Sequence, residues 1–395
     1  MALTQVPPAL LTSTTGTGST VVLSASPTFT GTVTTPGVTF SDASSQTAAA
    51  SPYVLKNRII NGDMRIDQRN AGASTTPTTT ATNVYNVDRW FVNISQASKF
   101  SIQQNAGSVT PPAGFTNYLG ATSLSAYTAG ASDYFTISQN IEGYNISDLA
   151  WGTVNAKTVT FSFWVRSSLT GTFGGSFLNS ASNRSYPFTY TISSANTWEQ
   201  KTITVAGDTT GTWLTTNGIG INVNFSLGMG STYSGTSGAW ASAAYFSATG
   251  ATSVVGTNGA TFYITGVQLE QNTSATPFER RLYNQELANC QRYCFVYRPS
   301  TNYAPYLMAH GISTTAMRGL LKFPQTMRTS PSLTFTAANT FQWSYGNVAT
   351  SIALAEQGVD MSSVDIGSTG TSANGGYMIT SANTTSSSII GSAEL

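Results

Sequence analysis

Chemistry in this 395-residue chain would have to start from few residues. The one imidazole, His310, stands close to Met308 in an apolar, strand-like run. A Ser-His-Asp triad needs that imidazole beside a nucleophile and a carboxylate. A lone histidine in such a run reads instead as a packing or interface residue. Glycosidic hydrolysis needs two carboxyls facing one bond. The candidates in the large central region are Asp63, Asp67, Asp88, Asp133, Glu142, Asp148, Glu199, Asp208, Glu270 and Glu279. None forms a recognisable pair motif, although a hairpin could bring Asp133 to Glu142. Two thiols, Cys290 and Cys294, lie one helical turn apart, and no CxxC pattern is present. A structural zinc site, which takes four N or S ligands, is therefore not expected. These residues predict a protein that is not an enzyme.

The composition narrows the classes further. Only 8% of residues are charged, against about 25% in ordinary soluble domains. The formal net charge is +1, which excludes a basic nucleic-acid binder working by phosphate neutralisation. Apolar residues make up 40% and aromatics 11%, enough for packed cores. Abundant Ser, Thr and Gly with aromatics suit many short strands joined by tight turns. The opening MALTQVPPALL lacks a basic n-region and a long apolar h-region, so no secretory signal is expected. No run reaches the roughly 20 apolar residues of a membrane span.

The elements can be read from periodicity. Residues 1–55 carry one charge, Asp42, and read as an extended N-terminal arm with short extended pieces at 20–23 and 27–33. From 56 to 280 the pattern is all-β. Val159, Phe161, Phe163 and Val165 alternate onto one face, as do Ile219, Ile221, Val223 and Phe225. Runs at 133–139, 198–205 and 261–269 add strands, with Gly266 a bulge in the last. Strands between Ser/Asn/Gly loops, with no helical pattern between them, predict a two-sheet sandwich. One helix is expected over 278–294, and 281–298 connects the sandwich to the C-terminal region. Leu287, Cys290 and Cys294 share one stripe of the helix. That stripe fits either a cap on the sandwich or a short self-association seam. Residues 299–395 return to strands as a smaller C-terminal β domain.

Several motifs together resemble a known family. Leu55-Lys-Asn-Arg-Ile-Ile-Asn-Gly-Asp-Met-Arg-Ile-Asp-Gln-Arg-Asn-Ala-Gly72 is followed by Val87-Asp-Arg-Trp-Phe91 and Thr160-Phe-Ser-Phe-Trp-Val-Arg-Ser167. Gly266-Val-Gln-Leu-Glu270, Pro277-Phe-Glu-Arg-Arg281 and Cys290-Gln-Arg-Tyr293 complete the order. This order, across about residues 55–298, resembles bacteriophage tail fibre and receptor-binding proteins. The resemblance implies a jelly-roll sandwich related to carbohydrate-binding modules, usually homotrimeric, on the host-facing end of the virion. It also implies that calcium would sit near the first and last strands, where Asn61, Asp63 and Glu270 could supply hard oxygen ligands.

The expected architecture is an all-β chain: jelly-roll sandwich, one helix, a smaller C-terminal β domain and an extended N-terminal arm. Its function would be host-surface glycan attachment by a structural protein of the phage tail, assembled in the host cytoplasm. Residues 1–55 would join other tail proteins. A virion-surface decoration or adaptor protein is the alternative, and a polysaccharide depolymerase the third. Sugar rings stack on aromatic faces, and the loop-like aromatics Trp213, Tyr233, Trp240 and Tyr245 are the expected glycan platform. Neither nucleic acid nor membrane insertion is expected.

Overall fold

Alternation of apolar and polar residues produces strands here, and two stacked sheets result because each buries one face. The computed structural model describes residues 56–78, 83–344 and 347–395, together with two short strands near the N-terminus. The chain divides into two units, Met1–Val54 and Leu55–Leu395. In the first, Val38–Thr39 pairs antiparallel with Ser45–Gln46. The remainder of the arm expected over residues 1–55 lies outside the described residues.

The second unit begins with the sandwich. Its strands are β1 (Val84–Tyr85), β2 (Phe91–Ile94), β3 (Phe100–Gln104), β4 (Leu119–Ser123), β5 (Tyr134–Glu142) and β6 (Val159–Ser167). They continue with β7 (Gly171–Leu178), β8 (Ser185–Ile192), β9 (Glu199–Val205), β10 (Ile219–Met229) and β11 (Thr261–Glu270). A six-stranded sheet runs β8-β7-β10-β5-β2-β1, and a five-stranded sheet runs β9-β6-β11-β4-β3. Their inner faces meet in one core. Phe161 on β6 lies 5.3 Å from Phe177 on β7, and Phe163 lies 4.9 Å from Phe225 on β10. The fold is the all-β sandwich the alternation predicts.

Three register shifts adjust this frame, one of them between Ser226 and Gly228 on β10. The β10–β5 register slips between Ile219 and Ile221. The slip takes Ile219, expected on the core face, out of the buried set that holds Ile221, Val223 and Phe225. In β11 the register slips between Thr265 and Gln268, and Gly266 has φ +60°, as expected of a bulge. The segment before β1 packs along this strand. Arg58 N–H donates to Leu269 O at 2.8 Å, and Val267 N–H donates to Gly62 O at 2.9 Å. A Cβ on Gly62 would stand 2.2 Å from Val267 O, so glycine is required there.

The helix, α1 (Tyr283–Gln291), is shorter at both ends than the expected 278–294. At its start, the Glu279 carboxylate accepts from the backbone N–H of Lys56 and Asn57, and Arg281 Nη1 donates to Ile59 O at 3.1 Å. These bonds hold the preceding residues extended along the first segment. At its end, Cys294 opens strand β12 (Cys294–Tyr297).

The remaining strands are β13 (Pro305–Gly311), β14 (Ala316–Lys322), β15 (Ser332–Phe335), β16 (Phe341–Ser344) and β17 (Asn347–Val348). Then come β18 (Ser351–Glu356), β19 (Met361–Gly367), β20 (Gly376–Ser381) and β21 (Ile389–Ser392). They form a three-stranded sheet, β12-β21-β15, and a seven-stranded sheet, β17-β16-β20-β13-β14-β19-β18. Phe295, Met317, Phe341, Val364 and Ile389 share their core.

Charge gathers where these strands meet the sandwich. Arg89 is 1% exposed. It pairs with Glu394, donates to Asn140 O at 2.6 Å, and stacks 3.6 Å from the Tyr293 ring centroid. Burial alone would push its pKa down, but Glu394 reverses this and the guanidinium stays charged. Arg69 pairs with the other Glu394 oxygen at 3.0 Å. Arg292 grips the buried Glu142 with two bonds of 2.9 and 2.6 Å.

The buried charges can be tested by substitution and by pH. Glu394→Gln removes the countercharge from two guanidiniums, and it should cost about 3–5 kcal/mol in urea unfolding. A loss below about 1 kcal/mol would show the seam to be solvent-screened. Asp88 supplies a pH signature. Burial pushes its carboxyl up to about 7, against the opposing pull of Arg69 and the Gln68 hydrogen bonds. The unfolded value is about 3.9, so between these pH values the folded state holds the extra proton. Asp88's contribution is complete below about pH 4 and is lost as pH rises through about 7. Denaturation at acid and neutral pH should show this decline in the wild type, and Asp88→Asn should flatten it.

Candidate functional site

The outer face of the six-stranded sheet carries the polar half of the same alternation. Between the core residues of β5 stand Thr136, Ser138 and Asn140. Between those of β10 stand Asn222, Asn224 and Ser226, and β7 adds Ser176. Register sets Asn222 opposite Asn140 and Asn224 opposite both Ser138 and Ser176. The side chains bond in series. Ser138 Oγ donates to Asn224 Oδ1 at 2.6 Å, and Asn224 Nδ2 donates to Asn222 Oδ1 at 2.6 Å. Asn222 Nδ2 donates to Asn140 Oδ1 at 2.7 Å, and Asn140 Nδ2 donates to Leu395 O at 2.9 Å.

This ladder ends in a cleft of about 230 Å³ lined by Asn93, Asn140, Ser182, Ile219, Asn222 and Phe246, among others, and none of its lining residues is charged. The bulge in β10 is what delivers Ile219 to it. A primary amide has two donors and two acceptor lone pairs. Asn222 commits one N–H to Asn140 and accepts one from Asn224, which leaves it a second N–H and a second lone pair. Asn93 accepts from the Asn83 backbone N–H at 2.8 Å, and its own amide N–H groups have no protein acceptor among the described residues. Asn179 differs. It donates to Asn183 Oδ1 and Thr212 O and accepts from the Asn183 and Arg184 N–H groups, so it shapes the turn beside the cleft. Phe246 is held by Tyr134, stacked at 6.1 Å, and by Tyr233, edge-on at 5.5 Å.

The expected aromatic platform is placed differently. Trp213 is 6% exposed and donates its indole N–H to Asp208 at 3.1 Å. Trp240 is half-buried and donates to Ala206 O at 2.9 Å. With Trp151 they form a mutual edge-to-face triad at 4.8, 5.3 and 5.4 Å, and Tyr186 packs on Trp240 at 5.1 Å. All three indoles pack on one another and their N–H groups are bonded; Trp213 is buried, while Trp240 keeps part of its surface exposed. Tyr245 lies against Gly235, where a Cβ would meet its ring at 2.2 Å. Of the four, Tyr233 alone neighbours the cleft, through Phe246.

The other candidates are likewise engaged. Asn61 bonds Ile66 and the Asp88 carbonyl, and its own carbonyl receives the Trp90 indole N–H at 3.0 Å. Asp63 pairs with Arg65 at 3.1 Å. Glu270 accepts from Gln268 and twice from Thr276. The oxygens expected for calcium thus serve protein partners. Cys290 and Cys294 are both fully buried as free thiols, and burial pushes both well above the usual thiol range. The seam expected at Leu287, Cys290 and Cys294 is not a surface stripe: Cys290 faces the chain's own interior and Cys294 belongs to a strand. Asp133 immediately precedes β5 and Glu142 ends it, so no hairpin joins them. Burial opposes ionisation of Asp133, yet hydrogen bonds from Tyr127, Ser95, Gly130 and Gln96 hold it at about 2.

Nothing in the linear sequence points directly to this cleft, although one signal is readable. Ser138-x-Asn140 and Asn222-x-Asn224 put hydrogen-bonding side chains on the face opposite the apolar one.

No protein-family model matches the chain, and no curated protein matches it. Among solved structures it is similar to a CBM4 structure at 15% identity, covering 54% of this chain and 98% of the other, with a TM-score of 0.29. The enzymatically active domain of tailspike protein 4 of bacteriophage CBA120 is similar at 12%, covering 56% of this chain and 22% of that one, TM-score 0.31. A family 11 carbohydrate-binding module from Clostridium thermocellum, in complex with a β-1,3-1,4-mixed-linked tetrasaccharide, is similar at 11%, covering 52% and 99%, TM-score 0.27.

The triad's role is open to measurement. Trp213→Ala should lower stability by about 3–5 kcal/mol, the usual cost of emptying a core aromatic site. A variant with wild-type stability would return Trp213 to the set of binding-surface residues.

Proposed function

We propose that this protein is a non-enzymatic glycan-binding protein that recognises a neutral sugar in the cleft on the six-stranded sheet. The observation that carries the reading is the spare donor and acceptor of Asn222, fixed between two other amides in a cleft without charge. A sugar hydroxyl both donates and accepts, so adjacent hydroxyls match such an amide. Phe246 offers an apolar edge for the ring's C–H groups. The carboxylates that glycoside hydrolysis would need support binding over catalysis. Glu142 is committed to Arg292, Asp208 to Arg184, Glu199 to Lys201 and Asp148 to Arg58.

The motif resemblance over residues 55–298 supports host attachment by a bacteriophage tail fibre as the setting. In that setting the chain is a homotrimer that meets other tail proteins through residues 1–55 and a host polysaccharide through the sandwich. Weak sites suffice there, because several copies on one particle raise the effective concentration.

Titration of the full chain with neutral host-envelope oligosaccharides checks the reading. Asn222→Ala should weaken binding about five- to tenfold, the loss of about 1 kcal/mol in neutral hydrogen bonds. Affinity should change little when salt rises from about 0.1 M to about 1 M, although screening then shortens to about 3 Å. Unchanged affinity in Asn222→Ala, or a steep salt dependence, overturns the proposal.

A further inference from the structure

A second cavity, of about 470 Å³, lies where β12 leaves the seam and β13 and β14 begin and end. Its lining includes Tyr297, Arg298, Ser300, Tyr306, Leu320 and Lys322. Both tyrosines are fixed walls. Tyr297 packs 5.0 Å from Phe295 and donates its hydroxyl to Lys322 O at 2.8 Å. Tyr306 packs 5.2 Å from Phe341 and bonds Ser387 O at 3.0 Å. Their rings are half-buried and cannot swing away without breaking those bonds.

Two cations line this cavity without a countercharge. Most arginines of this charge-poor chain are paired: Arg58, Arg65, Arg69, Arg89, Arg184, Arg281, Arg292 and Arg318 each meet a carboxylate. Arg298 and Lys322 meet none among the described residues. Both are exposed, and Arg298 commits a single N–H, to Arg69 O at 3.2 Å. Lys322 gives its ammonium to no protein acceptor among the described residues. No acidic residue lines the cavity. Its volume lies in the range of small-molecule sites, and it is about twice that of the neutral cleft.

We propose that this cavity binds a carboxylate-bearing sugar, a uronate or sialate unit, separately from the neutral cleft. The carboxylate sits between the Arg298 guanidinium, which can grip it with two parallel bonds, and the Lys322 ammonium. The C–H face of the ring lies on the Tyr297 and Tyr306 walls with Leu320. The site is assembled wholly from the C-terminal strands and the residues that lead into them. It therefore stands whether or not the neutral cleft binds sugar.

Calorimetric titration of the full chain tests this with trigalacturonate and sialyllactose, against galactotriose and lactose as neutral counterparts. At least one acidic sugar should bind with an affinity that falls as salt rises, and its neutral counterpart should show only binding that Asn222→Ala weakens. Arg298→Gln and Lys322→Gln should each weaken the acidic sugar about tenfold. Both positions are exposed, so the variants should keep the wild-type unfolding midpoint. Asn222→Ala, in the other cleft, should leave acidic-sugar binding unchanged. Absence of binding by both acids, neutral-sugar binding that Arg298→Gln weakens, or wild-type acidic-sugar affinity in Arg298→Gln overturns the proposal. Displacement of the sugar by inorganic phosphate at matching concentration would mark a general anion site and overturn the sugar assignment.

Discussion

Arg89 is the residue on which the rest of the molecule hangs. A guanidinium taken out of water costs several kcal/mol, and only good geometry offsets it. Here the offset comes from three directions: a carboxylate from the end of the described chain, a carbonyl from β5 and a tyrosine ring from just beyond α1. Those partners belong to the sandwich, to the linking segment and to the last strand's exit. Loss of Glu394 would leave the buried guanidinium unpaired. The arrangement fixes β12 and β21 against the sandwich. It also brings Leu395 over Asn140, where the amide ladder ends. Asn140, which lines the neutral cleft, thus bonds a segment that an ion pair holds in place.

A chain with so few charges cannot scatter them over its surface, and it concentrates them. Glu142, Arg292, Arg89, Arg69 and Glu394 hold the seam, and Arg184 with Asp208 holds the loop that carries the tryptophan triad. What remains for the sheet's outer face is amides and hydroxyls. The same scarcity leaves Arg298 and Lys322 together in a cavity that no carboxylate lines.

Strands with strict alternation are legible in the sequence. Val159–Ser167, Ile219–Met229 and Thr261–Glu270 each show an apolar face that only a strand presents. Gly171–Leu178 is not, since GTFGGSFL breaks the pattern with adjacent glycines. Those glycines are required by packing: a Cβ on Gly175 would stand 2.2 Å from Asn224 O, and one on Gly174 would stand 2.4 Å from Ser247 Oγ. The helix reads too long because its flanks carry helix-compatible residues, and only tertiary bonds from Glu279 and Arg281 draw the first of them into an extended path. The tryptophans mislead for a related reason. Gly- and Ser-rich surroundings read as exposed loop, while the three indoles and their acceptors converge only in three dimensions. The partners of Asn61 and Glu270 are likewise set by folding, at distances that spacing does not report.

The amide ladder also bears on how the proposed neutral site would recognise a sugar. A single exposed asparagine exchanges water for sugar with little net gain, since each hydrogen bond made replaces one broken. It also loses rotamer freedom in doing so. Asn222 has already lost that freedom, because bonds to Asn224 and Asn140 fix its amide plane before any ligand arrives. Its unused donor and acceptor therefore meet a ligand with no further rotamer freedom to lose. Every rung of the ladder contributes to that fixation, from Ser138 to the carbonyl of Leu395. Recognition by such a surface depends less on the strength of any one bond than on the rigidity of the sheet beneath it. That rigidity rests in turn on the aromatic core between the sheets and on the buried charges at the seam.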